Sequence, residues 1–130
     1  MPRKFTLTVI PEALAVCQMP SDAPLPNWPD GSFLSVTRTR DELSVIVPET
    51  AVPDGVPKHG GFRALKISGP LDFGESGVLA TLSNTLAVAG LSIFVISTYD
   101  TDYILVRQEN LARAIAVLRQ AGHEVVELND

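Results

Sequence analysis

The sequence predicts an α+β fold made of two units packed together, the second complete and the first reduced. Three observations lead there. After Gly61 the apolar patterning runs strand, helix, strand, strand, helix, strand. Before it, short strand-like runs alternate with proline-rich loop and carry no long helical stripe. Finally, 45% of the 130 residues are hydrophobic and 19% are charged, enough apolar material for a real core. The expected division is 1–60 for the reduced unit and 61–130 for the complete one.

Within residues 1–60, "FTLTVI" (5–10) alternates as a half-buried strand does, and "ALAVCQM" (13–19) reads as a second strand. "PSDAPLPNWPDG" (20–31) holds four prolines and a glycine, which forbid helix and regular sheet. Trp28, inside it, is expected to cover one end of the core. "SFLSVTRT" (32–39) and "ELSVIVP" (42–48) flank Arg40-Asp41 as a hairpin, and "ETAVPDGVPKHGG" (49–61) is loop with room for one helical turn.

From residue 61 on, "FRALKIS" (62–68) is a strand and "GPLDFGESG" (69–77) a glycine-rich loop. In "VLATLSNTLAVAG" the residues Leu79, Leu82, Leu86 and Ala89 share one helical stripe, with Ser76 as the expected N-cap and Gly90 as the stop. "LSIFVIST" (91–98) and "DYILVR" (102–107) are strands around a short acidic turn. "QENLARAIAVLRQAG" is a second helix, with Leu111, Ile115 and Leu118 aligned and Glu109 and Arg113 at ion-pair spacing. "HEVVEL" (123–128) closes as a strand, which makes the order β-α-β-β-α-β, the ferredoxin-like split βαβ arrangement. A unit of this size buries only about 60% of its unfolded surface. The two should therefore pack on each other, and open sheet edges favour a homodimer.

The bulk numbers exclude several roles. A net charge of −5, with ten scattered Lys and Arg, gives no groove for nucleic acid. No apolar run reaches the ~18 residues a membrane helix needs, and Pro11 and Glu12 interrupt the start; the chain reads as cytoplasmic. The one cysteine, Cys17, stands in an apolar run and reads as a buried structural thiol.

Catalytic signals are poor. "GESGV" (74–78) misses the nucleophile elbow because Val78 replaces its second glycine. His59 and His123 lack neighbours at ligand spacing and read as solvated, so no metal site is expected. Asp100-x-Asp102 is a weak magnesium signal, and the glycine-rich loop lacks a phosphate-loop lysine. The chain reads as a non-enzyme without a cofactor.

Binding is the better reading. The loop 69–77 leads into a helix N-terminus, whose free N–H groups favour an anion such as a carboxylate. Asp100 and Asp102, with the hydroxyls of Thr98 and Thr101, offer acceptors for an ammonium. Opposite polarities a few ångströms apart outline a free amino acid. The competing reading is that Asp100 and Thr101 only shape a turn and that Gly69, Gly74 and Gly77 only loosen a loop.

The runs "SVTRTRDELSVIVPE" (35–49) and "GPLDFGESGVLATLSNTLAVAGLSIFVISTYDTDYILV" (69–106) resemble the small tandem ACT-domain proteins related to the CASTOR arginine sensors and to aspartate kinase regulatory domains. That resemblance implies two ACT-type βαββαβ units, the first reduced, acting as a regulatory amino-acid sensor. It puts ligand contacts on Leu71, Asp72, Phe73, Gly74, Glu75, Ser76 and Gly77. The others fall on Ile96, Ser97, Thr98, Tyr99, Asp100 and Asp102, with Asp102 facing the cationic group. The alternative it leaves open is a ligand-free interaction module that docks on a partner enzyme.

Overall fold

A computed structural model describes residues 4–29, 31–68 and 77–128. Its strands are β1 (Thr6–Val9), β2 (Leu14–Met19), β3 (Ser35–Arg38), β4 (Leu43–Pro48), β5 (Lys58–Ile67), β6 (Ile93–Ser97), β7 (Asp102–Arg107) and β8 (Glu124–Glu127). The helices are α1 (Val78–Val88) and α2 (Leu111–Gln120), and single 3₁₀ turns occupy Glu49–Ala51 and Gln108–Asn110. Contacts divide the chain into two units, Met1–Pro11 with Arg63–Asp130, and Glu12–Phe62. The first eleven residues thus join Arg63–Asp130.

Strand pairing explains that exchange. β1 pairs antiparallel with β5 (Leu7 opposite Ile67) and parallel with β8 (Leu7 opposite Val125). The later unit thus has the order β8-β1-β5-β7-β6. A βαββαβ unit alone would place its last strand beside its first; here β1 is inserted between them. The side chain of Leu7 is fully buried, and Phe5 and Val9 share the core with it. Alternation along "FTLTV" supplies that buried face.

The helices cover this core as their periodicity requires. Val78, Leu82 and Leu86, spaced at i, i+4 and i+8, are the buried residues of α1, while Leu79 and Ala89 pack at its margin. Ala114, Ile115 and Leu118 are buried on α2, with Leu111 partly buried. The N-cap of α1 is Gly77, at φ +88 with no side-chain cap; Ser76, the expected cap, lies outside the described residues. Glu109 does not pair with Arg113. It sits in the 3₁₀ turn before α2, off the helical spacing, and pairs with Arg107 at 3.4 Å. Its own backbone N–H, and then Arg107, hold the Glu109 carboxyl below its usual range.

His123 is buried rather than solvated, with 5% of its surface exposed. Its Nδ1 accepts the backbone N–H of Phe5 at 3.1 Å, and its ring stacks on Phe5 at 5.7 Å. Desolvation, and then the Lys4 charge, lower its pKa. A neutral ring suits a nitrogen that must accept a hydrogen bond.

In the unit of Glu12–Phe62 the order is β3-β4-β2-β5, antiparallel at every step. Ala15, Cys17, Leu43, Val45 and Val47 form its core, with Trp28, Val36 and Val56 packed against it. Trp28 covers the core as its sequence context suggested, and Arg38 ties the proline-rich run by donating to the Ser21 and Ala23 carbonyls. β5 starts at Lys58, ahead of the expected Phe62, because its two glycines form a bulge rather than a break. The register with β2 shifts between Leu14 and Val16. Gly61 takes φ +79 and donates its N–H to the Glu49 carboxylate at 2.6 Å. A Cβ on Gly60 would run into the same carboxylate oxygen.

Candidate functional site

The acidic hairpin is the best-defined part of the expected site. β6 and β7 pair from Ile93 opposite Val106 to Ser97 opposite Asp102, which leaves the four residues Thr98 to Thr101 as the tip. Thr98 N–H donates to the Thr101 carbonyl at 2.8 Å and closes it. No non-glycine residue among those described takes a positive φ, so this tip has no need of glycine.

Both threonines are committed to structure. The Thr98 hydroxyl donates to the Thr101 carbonyl at 3.1 Å and accepts the Thr101 N–H at 3.3 Å. The Thr101 side chain, 5% exposed, donates to the Ile67 carbonyl. These hydrogen bonds hold the turn and anchor it to the end of β5. A buried hydroxyl must find a partner, and the last carbonyl of β5 is that partner.

The carboxylates remain outside that network. Asp100 is exposed, Tyr99 is 82% exposed, and Asp102 is half-buried at the start of β7. Asp102 accepts the Ser97 hydroxyl from the neighbouring strand, which fixes one carboxylate oxygen and leaves the other as an acceptor. Ile96 is half-buried on β6 and Ser97 is exposed.

The structure brings Ile96, Ser97, Thr98, Tyr99, Asp100 and Asp102 together on one hairpin. Gly77 is at the start of α1. The expected contacts Leu71, Asp72, Phe73, Gly74, Glu75 and Ser76 lie outside the described residues. Sequence reasoning missed the anchoring role of Thr101 because it depends on Ile67, 34 positions away. The only local signal was a threonine where a turn does not require one.

Other reactive groups are accounted for by burial. Cys17 is buried, and desolvation raises its thiol pKa against a smaller lowering by Lys58, which leaves it a poor nucleophile. Among the described residues no group of three or more His, Cys, Asp or Glu side chains is placed to hold a metal ion. No helix among them is long and apolar enough to cross a membrane.

Comparison with known proteins bears on this geometry. An ACT-domain family model matches residues 59–120, which contain the hairpin and both helices, and a second model, describing an N-terminal domain, matches 12–55. Residues 59–120 are an ACT domain. The human cytosolic arginine sensor for mTORC1 subunit 1 is 39% identical to this ACT chain over 64 residues, 47% of the chain and 20% of the sensor. The match thus spans about a fifth of that relative's length. A crystallised protein of Agobacterium tumefaciens is 30% identical, with a TM-score of 0.92 over 99% of the ACT chain and 97% of its own. The ligand-free regulatory subunit of aspartate kinase from Thermus thermophilus is 11% identical over 89% of the ACT chain and 96% of its own. Its TM-score of 0.60 shows the shared fold. The α+β, ferredoxin-like architecture is therefore that of the ACT domain.

Proposed function

We propose that this ACT chain is a regulatory module that binds a free amino acid and performs no chemistry of its own. The observation that carries the reading is the buried Thr101 hydroxyl on the Ile67 carbonyl. It keeps an acidic hairpin tip at the point where β5 hands over to the glycine-rich run 69–77, which leads to the start of α1. In this reading, backbone N–H groups of Leu71, Asp72, Phe73, Gly74, Glu75, Ser76 and Gly77 take the ligand's carboxylate. Asp102 takes its ammonium, Asp100 adds negative potential, and Ile96, Ser97, Thr98 and Tyr99 form the wall. The cytosolic arginine-sensor relative supports an amino acid as ligand and a cytoplasmic sensor; the homodimer in this reading rests on open sheet edges that a second copy would cover.

A thermal-shift panel of the twenty amino acids tests this. A ligand at 100 times its Kd adds about 2.7 kcal/mol, which raises Tm by about 10 °C for a chain of this size. Asp102→Asn, on a half-buried carboxylate, should keep the fold and lose the shift. If no amino acid at about 10 mM moves the melting curve, the reading fails.

A second reading, a ligand-free module docking on a partner enzyme, draws on exposed apolar side chains at strand edges. Val95 lies on β6 and Val126 on β8, with Leu128 just beyond, and all three are exposed. A partner retained at one to one with no amino-acid effect on either protein would favour it.

A further inference from the structure

The proposed ligand site makes no use of His123, yet this ring is the one buried ionisable side chain among the described residues of its unit. Hydrogen bonds lead from it to the base of the glycine-rich run. Phe5 N–H donates to His123 Nδ1 at 3.1 Å, and Glu124 N–H donates back to the Phe5 carbonyl at 3.0 Å. One residue further on, the Thr6 carbonyl accepts Ser68 N–H at 2.8 Å. Ser68 is the residue that precedes the run 69–77. His123, Phe5, Thr6 and Ser68 thus form one connected path within a single unit.

We infer that His123 is an acid-released latch: protonating its ring frees the Phe5 end of β1 and, through Thr6, loosens Ser68 at the base of the run 69–77. A ring that accepts Phe5 N–H at Nδ1 carries its own proton on Nε2. A second proton puts a donor at Nδ1 against the donor on Phe5, and the bond is lost. The surroundings offer the new charge no counter-ion. Lys4, in the segment before β1, adds a cation, and its Nζ donates to the Ala121 carbonyl at 2.8 Å. α1 has no ionisable side chain, and those of α2 are Arg113 and Arg119. Arg63 reaches the Ile10 carbonyl, past the far end of β1. Glu124 and Lys66 are exposed on the opposite face of the sheet. Glu127 is at the far end of β8, 3.6 Å from Arg119, and Asp102 is three strands away on β7. A charged ring is therefore stable there only once the contact opens to water. Opening can stop at the start of β1, because Leu7, Thr8 and Val9 stay paired with β5. What the latch means for ligand binding rests on the amino-acid reading above; the latch itself does not, and its test uses no ligand.

The test is amide hydrogen exchange of the full chain, followed by NMR at about pH 7, 6 and 5 and compared as protection factors, which removes the intrinsic pH dependence of exchange. Phe5, Glu124 and Ser68 N–H should share one protection factor, at least about tenfold below that of the slowest amides of β5 and β7. That shared factor should fall at least about tenfold between pH 7 and pH 5, mostly below about pH 6.5. In His123→Gln, whose amide oxygen can accept Phe5 N–H without titrating, it should stay constant within about twofold. Protection equal to that of the slowest amides at every pH would mean that only global unfolding breaks the contact, and would overturn the latch. A factor that does not fall with pH, or that falls equally in His123→Gln, would overturn it as well. Loss of protection at Phe5 with Ser68 unchanged would cut the path to the run 69–77 and overturn the coupling. The wild-type profile decides the first of these outcomes and the last without the variant. An amino-acid panel without any thermal shift would end the ligand reading and leave this exchange pattern in place.

Discussion

The two units solve the same problem, an apolar sheet face that must be covered, with different materials. In the unit containing the hairpin, α1 and α2 lay Leu82, Leu86, Ile115 and Leu118 over the buried residues of β1, β5, β7 and β8. In the unit of Glu12–Phe62, irregular chain rich in proline does the covering, through Ala23, Trp28, Val52 and Val56. Helical cover brings whole turns with satisfied backbone groups, whereas a loop must borrow partners, as the Ser21 and Ala23 carbonyls borrow Arg38. A helix-covered face should therefore depend on a few deep leucines, and a loop-covered one on its anchors.

The two can be followed separately. Trp28 is the chain's one tryptophan and lies in the unit of Glu12–Phe62, while both helices lie in the other. Tryptophan fluorescence and helical circular dichroism therefore report different units. The largest effect is expected from Leu82→Ala, which empties a fully buried position on α1. It should cost about 3 kcal/mol, read as an earlier urea midpoint in the dichroism signal. If dichroism and fluorescence shift together, the units unfold as one cooperative block; if dichroism alone shifts, they unfold independently. Arg38→Met should be next, at about 2 kcal/mol, because it leaves two carbonyls of the loop without their charged donor. Its signature is a red-shifted Trp28 emission, and an unchanged spectrum would mean the loop holds without its anchor. Gly61→Ala, at φ +79, should cost about 1 kcal/mol by forcing a Cβ into the left-handed region of the bulge.

The smallest effect concerns pH. The pKa of His123 is lowered by burial, so its neutral form is the one the fold stabilises. Stability is complete above the unfolded value of about 6.5 and declines as pH falls below it, until the depressed folded pKa is passed and the decline stops. His123→Gln keeps an acceptor for Phe5 N–H but does not titrate, so its stability should be flat between about pH 7 and 5 where the wild type falls. Equal slopes in the two proteins would remove His123 from the account.

These particulars show where one-dimensional reading succeeds. Periodicity located α1 and α2 because the leucine spacing of a helix lies within a few residues, and short β-rich apolar runs located β6 and β7 for the same reason. Which strands pair was hidden. β1 alternates whichever neighbour it has, and only the folded chain sets it between β5 and β8. His123 looked solvated because the donor and the ring that bury it come from Phe5, 118 positions earlier. The hairpin residues of the expected site were readable from their composition, but the internal use of Thr101 was not, since its acceptor lies on another strand.

The insertion of β1 has a consequence for synthesis on the ribosome. β1 is made well before its parallel neighbour β8, with β2 to β7 between them in the chain. The unit of Glu12–Phe62 is continuous in the chain and can form as soon as it clears the exit tunnel. Its companion must keep β1 unpaired on one side until β8 appears, so the long-range pairing of β1 with β8 is the later and slower step.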